Sequence, residues 1–228
     1  MFLKRLQVRE LAQAALPHYF PRFAPMTEQE LQAGFEAGAV VVDIRHSVAF
    51  AEGHFPGSLN VGLASREFVH CVGLFLSKQN RIFLVVDQSE QAYRARLELS
   101  RAGFEQVGGY IEAGRLTEVH RLTQLSVFDL KSTLCRGGKP EILDVRSNDE
   151  WKSSEIRESK NIPLAQLASR VSELSSAKPL VVVCQNGYRS AVASSWLQAY
   201  GFDSVHNLID GMDAYGGAPL NECVAEFV

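Results

Sequence analysis

The run Val42-Asp43-Ile44-Arg45 returns later in the chain as Leu143-Asp144-Val145-Arg146. Two further pairs follow in the same order: Asn60-Val61-Gly62-Leu63 with Asn161-Ile162-Pro163-Leu164, and Ala102-Gly103-Phe104 with Tyr200-Gly201-Phe202. Ordered recurrence at a separation of about one hundred residues marks one folding unit present twice. A chain of 228 residues holds two such units at ordinary domain size. In each copy, short apolar runs alternate with segments of helical spacing. That is the pattern of an α/β unit whose parallel sheet carries helices on both faces. The expected division is an N-terminal helix and arm over 1–25, a first copy over 26–120 and a second over 121–228.

The chemistry gathers in the second copy, in Pro179-Leu-Val-Val-Val-Cys184-Gln185-Asn186-Gly187-Tyr188-Arg189-Ser190. The run 180–183 is short, β-branched and bounded by Pro179 and Gly187, as in a strand buried on both faces. Residues 190–198 have helical spacing, with Gly201 placed to stop the helix. Cys184 therefore lies where a strand hands over to a helix N-terminus, beside unpaired amides and the positive end of the helix dipole. With Arg189 adding a charge, Cys184 is expected to be largely thiolate at neutral pH. The competing reading, a buried structural cysteine, is common among free cysteines. It does not explain why Asn186, Gly187 and Arg189 follow in a turn.

The segment Cys184-Gln-Asn-Gly187-Tyr-Arg189-Ser190 resembles the active-site loop of rhodanese-family sulfurtransferases, a Cys-x-x-Gly-x-Arg-Ser pattern between strand and helix. The resemblance implies two rhodanese-like domains. It also implies a Cys184 that takes a sulfane sulfur, holds it as a persulfide and passes it on, with Gln185, Asn186, Gly187, Tyr188, Arg189 and Ser190 forming the loop that cradles it. The residues support this independently: a thiolate is the nucleophile of sulfur exchange, and successive N–H groups make an anion-binding concavity. The implied partners are a small sulfur donor, thiosulfate or a persulfide, a thiol or cyanide acceptor, and a persulfide-generating or persulfide-accepting protein. Tandem pairs with a silent first copy occur in this family, some fused behind metallo-β-lactamase-fold persulfide-oxidising domains. The first copy and the Tyr19-Phe20-Pro21-Arg22 lead-in are similar to those fusions. No His-x-His-x-Asp-His motif is present, so neither a metal nor another cofactor is expected.

Two other functions compete. Phosphatases and arsenate reductases of the same fold use a longer Cys-x5-Arg loop, whereas only four residues separate Cys184 from Arg189. A non-enzymatic docking or redox-sensing module would suit a silent first copy but leaves the second loop unexplained.

In the first copy, Phe50-Ala-Glu-Gly53-His54-Phe-Pro56-Gly57-Ser resembles the family's Gly-His-Ile-Pro-Gly-Ala signature, and His54 reads as a turn residue. After the strand 82–86, Asp87 is read as standing where Cys184 stands in the second copy, with Glu90 in the place of Gly187. This copy is therefore expected to be non-catalytic. The second copy has Ser154-Glu-Ile-Arg157-Glu-Ser159 in place of the Gly-His signature, a departure in that loop. Asp144, Arg146 and Glu150 read as a structural ion-pair set and His206 as a strand residue. Leu164, Leu167, Val171 and Leu174 fit one amphipathic helix. Asp210-Gly211-Met-Asp-Ala-Tyr215 resembles the family's Gly-Gly-x-x-x-Trp turn, with Tyr215 as the aromatic. Cys223 could resolve a persulfide if the tail folds back.

Charge and apolar content exclude some partners. Lys+Arg 23 against Asp+Glu 26 leaves no electrostatic stripe for nucleic acid. No apolar run approaches the ~18 residues of a membrane span. Gln7, Arg9, Glu10 and Gln13 interrupt any signal-peptide core. Cys71, Cys135, Cys184 and Cys223 lie far apart with no zinc spacing, which suits a reducing, cytoplasmic compartment.

Overall fold

The computed structural model describes residues 23–216. The expected N-terminal helix and most of the arm lie outside these residues, as does Cys223. The chain divides between Arg121 and Leu122 into two units, each built on a five-stranded parallel sheet.

The first sheet comprises β1 (Ala24–Pro25), β2 (Val40–Asp43), β3 (Leu59–Asn60), β4 (Ile82–Val86) and β5 (Val107–Glu112), in the order β1-β5-β4-β2-β3. Its helices are α1 (Glu28–Glu36), α2 (Ser47–Glu52), α3 (Phe68–Phe75) and α4 (Ser89–Arg101). Thr27 caps α1 through a capping box with Glu30, and Gly38 ends the turn at φ 93. Leu31, Val41, Phe83, Val85 and Ile111 form the core on one face. The alternate residues Val42, Leu84 and Tyr110 face the other side, where Phe23, at the end of the arm, packs on Tyr93 and Tyr110.

The second sheet repeats the order with β6 (Thr123–Leu125), β7 (Glu141–Asp144), β8 (Lys160–Asn161), β9 (Leu180–Val183) and β10 (Val205–Leu208), arranged β6-β10-β9-β7-β8. The helices are α5 (Val127–Cys135), α6 (Asn148–Ser153), α7 (Leu167–Arg170), α8 (Tyr188–Tyr200) and α9 (Gly211–Tyr215). Leu130 of α5 and Met212 and Tyr215 of α9 cover one face over Val181, Val183 and Leu208, while α8 packs on β9 and β10.

The repeated residues recur because they close the same local network. The Arg45 guanidinium binds the Asp43 carboxylate and Gly53 O, and Arg146 binds Asp144 and Ser154 O. Asn60 and Asn161 each donate to the carbonyls of their copy's Asp and Arg. The network also preserves the shape of the divergent loop: Ile156 is buried as Phe55 is, and Ser159 N donates to Ile156 O as Ser58 N does to Phe55 O. Gly57 turns at φ 80, and its counterpart Glu158 is forced to φ 64. A non-glycine residue in that region is strained. Glu158→Gly is therefore expected to stabilise the second unit by about 0.5–1 kcal/mol, less than the full strain because glycine loses more entropy on folding. A urea denaturation midpoint that does not rise would contradict this.

The structure corrects two sequence expectations. The stretch from Leu164 to Leu174 is not one helix. A 3-10 turn (Leu164–Gln166), the four-residue α7 and a second 3-10 turn (Val171–Glu173) follow one another, closed by Gln166 N to Pro163 O and Leu174 N to Val171 O. Tight i→i+3 closures at both ends of so short a connection leave no room for a regular helix. The second correction concerns register. Asp43 pairs with Val85 and Asp144 with Val183, and the copies stay in step to the helix ends, where Phe104 N binds Leu99 O and Phe202 N binds Leu197 O. Val86, not Asp87, therefore occupies the place of Cys184. Ser89, not Glu90, occupies that of Gly187.

Candidate active site

Cys184 directly follows β9, the middle strand of its sheet, at the carboxyl end where open α/β sheets place their ligands. Its side chain is fully buried, with Sγ 3.3 Å from Ser190 Oγ on the first turn of α8. Four residues carry the chain from β9 into α8. Gln185 is half-buried and Asn186 exposed, and Gly187 is buried at φ 83. Asn186 Oδ1 accepts from Tyr188 N at 3.2 Å, tightening the turn. Among the described residues, the amides of Gln185, Asn186 and Gly187 donate to no protein acceptor. Three donors thus follow the thiol directly.

The loop is held from below. Met212 N donates to Cys184 O and Asp213 N to Gln185 O, both at 2.9 Å, so the first turn of α9 is tied to the loop's backbone. Gly211 makes this approach possible. A Cβ there would collide with Cys184 O and lie 2.8 Å from the Gln185 carbonyl carbon, and the residue sits at φ 56. Gly211→Ala is expected to cost about 3 kcal/mol of stability through overpacking and strain. A denaturation curve within about 0.5 kcal/mol of wild type would show that α9 can slide away freely.

Side chains complete the frame. Gln185 Oε1 accepts from Arg146 Nη1 at 3.2 Å, and its Nε2 donates to Asp213 Oδ1 at 2.6 Å. Arg189 does not stand alone as a cation: its Nη1 and Nη2 hold the two oxygens of Glu150 at 2.9 and 2.6 Å. This corrects the expectation that Glu150 joins Asp144 and Arg146 in one ion-pair set. The Arg189 hydrogen bonds hold the Glu150 carboxyl down at about 2, against partial burial. Glu150 also completes the capping box of α6 with Ser147.

Other candidates fall outside the site. His54 is buried, stacks on Phe50 at 3.7 Å and bridges to His120 through the backbone. His206 lies within β10 with Nε2 3.3 Å from Ser204 Oγ, and burial pushes its pKa down. Tyr215 fills the core in the aromatic position, and burial pushes its phenol up to about 12. Among the described residues no cluster of His, Cys, Asp and Glu could hold a metal ion, and no helix is long and apolar enough to cross a membrane. Sequence reasoning missed Gly211 and Asp213 as loop supports, and the contact of Arg146 with Gln185. The turn Asp210-Gly211-Met-Asp213 was the available signal for the first two.

A doubled parallel sheet with a cysteine at the mouth of the second copy's middle strand, followed by a loop of open amides, defines a class. The rhodanese-like domain family matches residues 27–114 and again residues 128–218. The chain belongs to that family and carries two copies of its domain. It is similar to the uncharacterized protein YqhL of Bacillus subtilis, 37% identical over 79 residues, which is 35% of this chain and 63% of YqhL. The chain thus spans less than two thirds of that relative. It is also similar to the thiosulfate sulfurtransferase GlpE of Shewanella oneidensis, 32% identical over 75 residues, 33% of this chain and 74% of GlpE. Among solved structures, a rhodanese-like domain protein from Staphylococcus aureus is 28% identical, covering 42% of this chain and 92% of its own, with a TM-score of 0.40.

Proposed function

We propose that this chain is a sulfurtransferase in which Cys184 accepts a sulfane sulfur from thiosulfate or from a low-molecular-weight or protein persulfide. Cys184 holds the sulfur as a persulfide and yields it to a thiol or to cyanide. The observation that carries this reading is the placement of the thiol at the end of β9 with three consecutive loop amides, Gln185, Asn186 and Gly187, that have no acceptor among the described residues. A persulfide anion on Cys184 would find those donors arranged for it at a helix N-terminus.

The steps follow from thiol chemistry. The Cys184 thiolate attacks the outer sulfur of the donor, a new Sγ–S bond forms as the donor's sulfur bond breaks, and sulfite or a thiolate leaves. An acceptor thiolate then attacks the outer sulfur of the Cys184 persulfide and restores the resting cysteine. Ser190 Oγ at 3.3 Å supplies a hydrogen-bond partner to Sγ throughout. The name of GlpE, thiosulfate sulfurtransferase, agrees with this chemistry. The work would fall to the second copy, in a reducing compartment such as the cytoplasm, with a persulfide-generating or persulfide-accepting protein as partner.

The test is to incubate the purified chain with thiosulfate, glutathione persulfide and cysteine persulfide in turn, and to read the cysteine peptides by mass spectrometry. One added sulfur on the Cys184 peptide is expected. No added sulfur from any donor would end the proposal in favour of a docking or redox-sensing role.

A further inference from the structure

The charges around Cys184 discriminate among its donors, an inference that rests on the sulfur-transfer reading above. Both guanidinium groups at the loop are already matched. Arg189 is held bidentate by Glu150, and Arg146 is paired with Asp144 where both are 1% exposed. One more carboxylate borders the loop: Asp213 Oδ1 accepts from Gln185 Nε2 at 2.6 Å. The remaining loop side chains, Gln185, Asn186 and Tyr188, are neutral. Three carboxylates thus stand against two guanidinium groups, and among the described residues the loop amides are the uncommitted positive ends.

Thiosulfate would bring two negative charges into this setting and release sulfite, again carrying two. An alkyl persulfide carries at most one negative charge on its sulfurs, reacts as an electrophile in the protonated form RSSH, and releases a thiolate of single charge. We propose that Glu150, together with Asp213, sets this site against thiosulfate and selects low-charge alkyl persulfides as sulfur donors. In the loading step the Cys184 thiolate attacks the outer sulfur of RSSH, the Sγ–S bond forms as the donor S–S bond breaks, and the departing RS⁻ takes up the proton. One sulfur moves and no external oxidant or reductant is consumed. Glu150 acts here through Arg189, as a positioning and specificity residue that does not touch the reacting sulfur.

The experiment measures second-order rate constants for sulfur loading on Cys184 in the full chain, with thiosulfate and with cysteine persulfide, at low and high concentrations of an inert salt. The thiosulfate rate is expected to rise with salt, because screening weakens a repulsion, while the cysteine persulfide rate changes much less. Glu150→Gln removes one negative charge and is expected to raise the thiosulfate-to-cysteine-persulfide rate ratio about tenfold. A disturbed fold would not produce the salt signature, which is read on the wild-type chain. A thiosulfate rate that falls with salt would overturn the inference while leaving sulfur transfer intact, as would an unchanged ratio in folded Glu150→Gln. Absence of loading from both donors would remove the sulfur-transfer reading, and this inference with it.

Discussion

Replacing Cys184 with serine is expected to lower sulfur transfer by at least about 10³-fold, the scale on which removal of a nucleophile acts, while the second unit stays folded. A serine hydroxyl is not ionised near neutral pH and forms no persulfide. The site is fully buried, and the cysteine sulfur already has the Ser190 hydroxyl as a partner at 3.3 Å. A serine oxygen can keep that hydrogen bond, so the cost to stability should stay near ~1 kcal/mol. The assay is single-turnover transfer from cysteine persulfide to a thiol acceptor, with a denaturation curve run beside it. Substantial transfer by the variant would mean that another residue carries the sulfur.

The legible part of the fold was the part fixed by local chemistry. Asp43, Arg45 and Asn60 recur as Asp144, Arg146 and Asn161 because each set closes the same turn with the same hydrogen bonds, so the repeat survives when the surrounding side chains change. The strand-to-helix position of Cys184 was visible for a similar reason: a short β-branched run, a left-handed Gly187 and a helix stopped at Gly201 each leave a mark in sequence. The Glu150–Arg189 pair was not visible. Many residues of chain separate the two, and the proximity of carboxylate and guanidinium is a product of the folded sheet. The register of the first copy was hidden too, because the apolar run continues through Val86. Counting from the end of that run places Asp87 opposite Cys184, whereas Val86 is still paired in the sheet, opposite Glu112.

That register reshapes the question of whether the first copy could be an active site. Val86→Cys in a Cys184→Ser background puts a thiol at the matching strand position, yet it is expected to load less than about 1% as much sulfur as the wild-type chain, for want of the anion-binding donors that make such a site. Three differences at the matched positions explain why. Gln91, in the place of Arg189, turns its Oε1 onto the amides of Asp87 and Gln88 at 3.0 and 3.1 Å, so donors that are open in the second copy are consumed in the first. Ser89, in the place of Gly187, is the first residue of α4 and does not take the left-handed turn. Ala92, in the place of Ser190, has no hydroxyl to meet a sulfur. The same mass-spectrometric assay decides the matter. If the introduced thiol stayed bare, adding Gln91→Ala should free two amides and raise loading above that baseline, because the cap rather than the strand would be the obstacle. Strong loading on the Val86→Cys variant alone would mean that a glutamine cap is easily displaced by a persulfide, and that the first copy lost its activity through the nucleophile alone.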